Sequence, residues 1–306
     1  MKRARGRSAL SIVSCAPALA FILAVASPSL ARAYCLMTTD SLNRDEAEGC
    51  TSDGDPLRWG GPCISLSLDE RGSSDLDMAT VRGAIERSFE AWTSVDCGGG
   101  HPAFNIRLND AMTRCHVASF DLNGPNANTI AFVDNFEDEG YDESAFAVTI
   151  VWYSIDSGEI FDADMLINED FTPYTICPES GCVGDVIDLE NVITHEAGHF
   201  FGLAHSAEHL ATMYSLAPRG EIQKRTLHSD DREGFCELYA ESFERSCSYA
   251  PIGGLASRCA GEPEPKKSGR CDAGGAALGE SLIPLLLGLL GLAAYRLWMR
   301  RRAAIA

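Results

Sequence analysis

Three histidines and a glutamate fall within one short stretch of this chain, His195-Glu196-Ala197-Gly198-His199-Phe200-Phe201-Gly202-Leu203-Ala204-His205. On a helix, residues four apart share a face, so His195 and His199 can reach one metal ion together. Glu196 lies beside that face, within reach of a zinc-bound water. Two imidazoles leave zinc under-coordinated, and a helix that simply ran on would aim His205 away. Gly202 resolves this, because glycine tolerates left-handed dihedrals and lets the helix end and the chain turn back. Three neutral imidazoles and a water make an open, catalytic type of Zn2+ site. The expected chemistry is amide hydrolysis. Zinc polarises the carbonyl and lowers the pKa of its water, and Glu196 acts as general base.

The elements that must hold these groups are legible as patterns. A helix is expected from about Asp188 to Phe201, with Leu189, Val192, Ile193, Ala197 and Phe200 as its buried stripe. A second is expected over Ser74–Thr93, where Met78, Val81, Ile85, Phe89 and Trp92 recur at three- and four-residue steps and Asp75 or Asp77 caps the start. A third starts near Asp230, with Asp230 and Glu233 as an acidic capping box. Cys63–Leu68, Ala103–Leu108, Thr129–Val133, Ala145–Tyr153 and Glu159–Asn168 read as strands. With no regular βαβ alternation, the fold class is α+β with one sheet.

The eleven-residue motif is the metzincin signature. Met213, eight residues after His205 in Ala211-Thr212-Met213-Tyr214, and Ser206 directly after the third histidine resemble matrixins, the matrix-metalloproteinase-like branch. The flanks resemble them too: Ala84–Val95, Gly158–Asp164, and His228-Ser229-Asp230-Asp231 followed by Leu238-Tyr239. This similarity covers about 57–240. It implies a zincin-like fold: a mixed, five-stranded twisted sheet with three main helices, and a cleft whose edge strand, Ala145–Tyr153, pairs with extended substrate. It also implies that Met213 is a hydrophobic base beneath the metal and not a ligand. Three departures stand out. Ser215 replaces the usual proline after Met-Tyr, the propeptide cysteine motif is absent, and no histidine-rich structural-zinc loop is evident. For Ca2+, the stretch Asp134–Glu143 is acidic enough but lacks loop spacing, so a solvated acidic loop is the expectation.

The rest of the chain bounds where this chemistry operates. Residues 1–33 read as a signal peptide, with Lys2, Arg3, Arg5 and Arg7, an apolar stretch and Ala31-Arg32-Ala33. Residues 34–56 form a short N-terminal segment, 57–240 the catalytic domain, and 241–270 a cysteine-containing linker or stalk. Residues 271–306 form a sorting or transmembrane segment. Its apolar run from Leu282 ends in Arg300-Arg301-Arg302 and resembles the C-terminal sorting signal of myxobacterial surface proteins. The expected partners are protein or peptide substrates, export machinery, a C-terminal sorting protease and, through the last segment, a membrane. The net charge is −19, and between Tyr34 and Cys271 there are 16 basic against 42 acidic residues, which excludes a nucleic-acid surface. Cys15 leaves with the signal peptide and Cys271 belongs to the sorting element. The ten remaining cysteines allow up to five disulfides, with Cys177 and Cys182 close enough to close a small loop. A free Cys35 or Cys50 blocking the zinc is the weaker alternative.

Two other functions fit the same motif: a catalytically silent zincin-fold surface binding or adhesion module, and a protease restricted to one partner or to self-processing. The intact Glu196 argues against the first, since a binding module has no use for that carboxylate.

Overall fold

The structure is a computed structural model that describes residues 33–40, 50, 53–100, 102–170, 173–241, 243, 246–262 and 304–305. The expected signal peptide and the apolar run from Leu282 lie outside them. In chain order the elements are β1 (Cys35–Leu36), β2 (Arg58–Trp59), β3 (Cys63–Leu68), α1 (Met78–Thr93), β4 (Asn105–Leu108), β5 (Asn128–Val133), β6 (Ala147–Tyr153), β7 (Glu159–Asn168), β8 (Tyr174–Thr175), β9 (Ile187–Asp188), α2 (Leu189–Phe200), β10 (Leu203–Ala204), α3 (Ser229–Tyr239) and β11 (Ala304–Ile305). A short 3₁₀ turn spans Gln223–Arg225.

The main sheet has seven strands where five were expected: its body runs β6-β7-β5-β3-β4, and the two-residue strands β2 and β11 add to it. The strands of the body all pair in parallel except β6, which runs antiparallel to β7. β2 pairs with the start of β7, and β11 adds two residues to β6 opposite Ile150 and Val151. The period of two along a strand separates the faces. Ala163, Met165 and Ile167 of β7 join the main core under α1 and α2. Leu166, with Val148, Ile150 and Trp152 of β6, joins a second cluster on the opposite face.

The expected stripes fill the main core. Val81, Ile85, Phe89 and Trp92 of α1 and all five stripe residues of α2 are buried, while Met78 is only half-buried at the helix start. α1 begins at Met78, four residues later than expected, because Asp77 caps it by accepting from the Thr80 N–H (3.0 Å). Phe200 and Phe201 interleave with Phe89, Trp92, Phe104, Phe235 and Tyr239 in an aromatic cluster joining α1, α2 and α3. Burial of each such ring contributes about 1.5–3 kcal/mol. Polar groups inside the cluster are matched: Trp92 Nε1 donates to Thr194 O (2.8 Å), and Trp59 Nε1 donates to Phe200 O (2.8 Å).

α3 has a different cap from the one its acidic residues imply. His228 is the N-cap, and Asp231 completes the capping box by accepting from the His228 N–H (2.7 Å). Asp230 is drawn elsewhere, accepting from the Tyr34 N–H (2.9 Å) and the Ser206 hydroxyl (2.5 Å). Tertiary partners therefore displaced the Asp230–Glu233 box.

All ten cysteines between Tyr34 and Arg270 are paired: 35–50, 63–247, 97–236, 115–259 and 177–182. Cys35 and Cys50 are thus not free thiols. Two of these bonds tie residues after α3 to the body of the domain, Cys247 to β3 and Cys259 to the segment between β4 and β5. Tyr249 O accepts from Ser65 Oγ (2.9 Å), and Ala256 N donates to Asn126 O (2.9 Å), so this strap covers the polar side of β3 and β5. Cys97–Cys236 fastens the end of α1 to α3. Its removal as a Cys97→Ser/Cys236→Ser pair should lower stability by about 2–4 kcal/mol in chemical denaturation. An unchanged unfolding midpoint would contradict a clamp at that position.

β7 also buries two carboxyls side by side on the second face. Asp164 accepts from the N–H groups of Ser119 (2.8 Å) and Thr129 (2.6 Å), whereas neither oxygen of Asp162 has a partner. Burial, and then each other's charge in the case of Asp162, pushes both well above the ordinary aspartate value of 3.8. The folded state therefore holds their protons more tightly than the unfolded chain does. The stability linked to them is complete below that ordinary value and falls as pH rises through the folded values. Asp162→Asn should be more stable than the parent at pH 8, with a smaller gap at pH 4. Parallel stability curves for the two proteins would rule out a neutral pair.

Candidate metal and catalytic site

The site starts with how α2 is begun and ended. Asp188 caps it, accepting from the N–H groups of Asn191 and Cys177 (2.8 Å each), and is paired with Arg225. At the other end Gly202 has φ +95°, and a Cβ there would lie 2.1 Å from Leu57 O. Only glycine fits both the left-handed turn and the close backbone. The chain then runs back through β10, which pairs with β1, and delivers His205. His195, His199 and His205 converge, with one ligand atom from each lying within 4.8 Å of the others. It is the only such group of three or more metal-ligating side chains among the described residues.

The second nitrogen of two rings is fixed by backbone. His195 Nδ1 donates to Thr212 O (2.6 Å), and His199 Nδ1 donates to Leu203 O (2.8 Å). Those bonds set the tautomer that leaves Nε2 as the free acceptor on each ring. Burial, reinforced by the neighbouring imidazoles, holds His195 well below its usual pKa and His199 at about 3, so both are neutral. Neutral imidazoles with oriented second nitrogens are the donor set that zinc requires, and the residues fit the ion.

Glu196 lies beside them, buried, with Oε2 accepting from Thr149 Oγ1 of β6 (2.7 Å). Burial raises its carboxyl to about 7, against the lowering effects of Thr149 and Lys224. Met213 packs against Gly198, where an added Cβ would sit 2.2 Å from its sulfur, so the helix turn between the first two histidines rests on Met213. The turn carrying Met213 is pinned from two sides. The Asp231 carboxylate accepts from Thr212 N (2.8 Å) and Met213 N (2.9 Å). Lys224 Nζ donates to Thr212 O (3.1 Å) and to Tyr214 O.

A cleft of about 450 Å³ opens over these groups. Ala145–Val148 line one side, Asn191 and Val192 of α2 another, and Ser215–Ala217 with Lys224 close the end beyond His195. Ser215, in the place where the sequence lacks proline, is exposed on this wall. His209 is exposed and packs its ring on Tyr214 (4.5 Å), beside the turn and outside the histidine cluster. In the acidic loop, Asp170 is taken up by the backbone N–H groups of Asn135 (2.6 Å) and Phe136 (2.7 Å).

The structure thus brings together His195, Glu196, His199, His205 and Met213. Thr149, Asp231 and Lys224 are additions that motif reading passes over. Thr149 lies 47 residues from its partner, and nothing in its own strand marks it. Asp231 carried a signal, as an acid in the first turn of a helix, but its tie to the turn at Met213 is tertiary. Gly202→Ala should destabilise the protein by at least about 2 kcal/mol and lower zinc occupancy, both measurable on one purified sample. Full occupancy at parental stability would refute the turn as the device that delivers His205.

Residues 119–240 match the sequence profile of the family described as Matrixin. Metalloendoproteinase 1 of Glycine max is 30% identical over 193 residues, covering 60% of this chain and 53% of that protein. Metalloendoproteinase 2-MMP of Arabidopsis thaliana is 27% identical over 163 residues, covering 52% and 37%. Metalloendoproteinase 1-MMP of the same plant is 50% identical over 54 residues, covering 17% and 14%. The chain spans about half or less of the length of these relatives. Over the stretch that carries the histidine cluster, it is similar to matrixins.

Proposed function

We propose that the chain is an exported zinc-dependent endopeptidase that hydrolyses peptide bonds in proteins, with residues 57–240 as its catalytic domain. The observation that carries this reading is the pairing of three converging imidazoles, two of them held in one tautomer by backbone carbonyls, with a buried carboxylate clamped by Thr149. His195, His199 and His205 would hold the ion. Zinc bound there supplies a Lewis acid for the peptide carbonyl and lowers the pKa of water. Glu196 takes the proton of the attacking water and later hands it to the leaving amine. Thr149 keeps that carboxylate aimed at the cleft. The stretch of β6 that lines the cleft, at Ala147 and Val148, accepts extended substrate backbone as an added antiparallel strand.

The same reading assigns residues 1–33 to export and 271–306 to sorting at a membrane. Among the described residues no helix is long and apolar enough to cross one.

Zinc content and casein cleavage, measured together on the parent and its variants, test the assignment. Glu196→Ala should retain about one zinc and lose at least about 10²-fold in turnover. Alanine at any of the three histidines should lose the metal. Thr149→Val should keep zinc and KM while lowering kcat by about tenfold. A Glu196→Ala protein that still cleaves casein would overturn the mechanism. A folded parent that takes up no zinc would overturn the function.

A further inference from the structure

Lys224 is the one Lys or Arg among the residues lining the cleft, and it is 3% exposed. Its ammonium donates to two carbonyl oxygens but forms no ion pair among the described residues. Glu221, Asp231 and Glu196 favour its charge without forming an ion pair with it among the described residues, and the ammonium also lies over the Tyr214 ring (5.7 Å to the centroid). An ammonium withdrawn from water without a paired carboxylate is costly, and the cost is recovered when a counter-ion arrives. Here the arriving group must come through the cleft. The Thr212 carbonyl oxygen accepts from both Lys224 Nζ and His195 Nδ1, so the ammonium lies on the Nδ1 side of that ring, one imidazole away from the Nε2 side that faces the other two histidines. Asn191, also on the lining, holds the Lys224 backbone by accepting from its N–H (2.7 Å), which fixes the lysine at the end of the pocket. An apolar side chain entering there would complete the desolvation of the ammonium without neutralising it.

We propose that Lys224 makes this cleft selective for a carboxylate on the substrate residue adjoining the scissile bond. The inference rests on the endopeptidase reading. The carboxylate has two sources, an Asp or Glu side chain or the free C-terminus of a peptide cut one residue from its end. Lys224 is a specificity residue in this role. It also steadies the turn at Met213, so overall activity alone does not report on selectivity.

The test uses the full chain loaded with zinc and quenched peptides that differ only at the two positions flanking the cut. These carry Glu, Gln, Leu or Lys with amidated ends, and one further Leu peptide ends in a free carboxylate directly after the bond. Parent protein should cleave a carboxylate-bearing peptide at least about tenfold better in kcat/KM than its Leu or Gln counterpart. Which peptide leads identifies the source. Lys224→Met should erase that ratio and Lys224→Arg should keep most of it, with zinc content and near-UV circular dichroism confirming that both fold. A parent that prefers Leu, or a ratio unchanged in Lys224→Met, overturns the proposal and leaves the endopeptidase reading standing. A zinc-loaded parent that cuts neither peptides nor casein removes both. Calorimetric binding of Glu-led and Leu-led product peptides to Glu196→Ala gives an arm independent of turnover, and equal affinities there also overturn the selectivity.

Discussion

The carbonyl oxygen of Thr212 accepts from both His195 and Lys224, while the N–H of the same residue is held by Asp231. Through this one residue the first turn of α3, the turn at Met213, the 3₁₀ segment and α2 are mechanically joined. A metal-ligating imidazole needs its second nitrogen fixed, since a free ring would sample both tautomers and rotate. That requirement places a backbone carbonyl 17 residues away from His195 in the chain. It in turn requires an acid from α3 and a buried lysine to hold the turn in place. Met213, packed against Gly198, closes the same arrangement from below.

Burial sets the electrostatics of this region, and it acts with opposite signs on neighbouring groups. It keeps His195 and His199 neutral and so ready as ligands, and it lifts Glu196 toward the range where a carboxyl can both take and return a proton near neutral pH. On the far face of the sheet, burial, joined for Asp162 by the neighbouring Asp164, raises both carboxyls, with no metal-ligating cluster beside them among the described residues. Acids of one chain thus line an open cleft beside the histidine cluster in one place and are sealed into the sheet's far face in another. The difference is in what each faces: an open cleft in the first case, and aromatic and aliphatic side chains in the second.

The strongly acidic surface makes the disulfides intelligible. Self-repulsion of a net-negative chain weakens the compact state, and covalent ties restrict the unfolded one. Four of the five link distant or N-terminal parts to the folded body, including the strap after α3 that covers the polar side of the sheet. The residues carrying this strap read in sequence as part of a cysteine-containing linker or stalk. They are ordered by what they cover and not by any periodicity of their own.

The sequence by itself determined the local features. These include the two histidines on one helix face, the glycine that ends that helix, the apolar stripes of α1 and α2, the main strands and the even cysteine count. Each follows from spacing or from a single residue's backbone preference, which operate over a few residues. Only the tertiary structure decided which cysteines pair, that His228 and Asp231 cap α3 while Asp230 serves Tyr34 and Ser206, that Thr149 clamps Glu196, and that Lys224 lines the cleft bound to two carbonyls with no ion pair among the described residues. Apart from the His228–Asp231 box, which is local but chosen by the tertiary partners of Asp230, those outcomes depend on partners far apart in the chain. A side chain's hydrogen-bonding capacity is visible in its type, but its partner is fixed only when folding brings the two together and removes the water that would otherwise satisfy both.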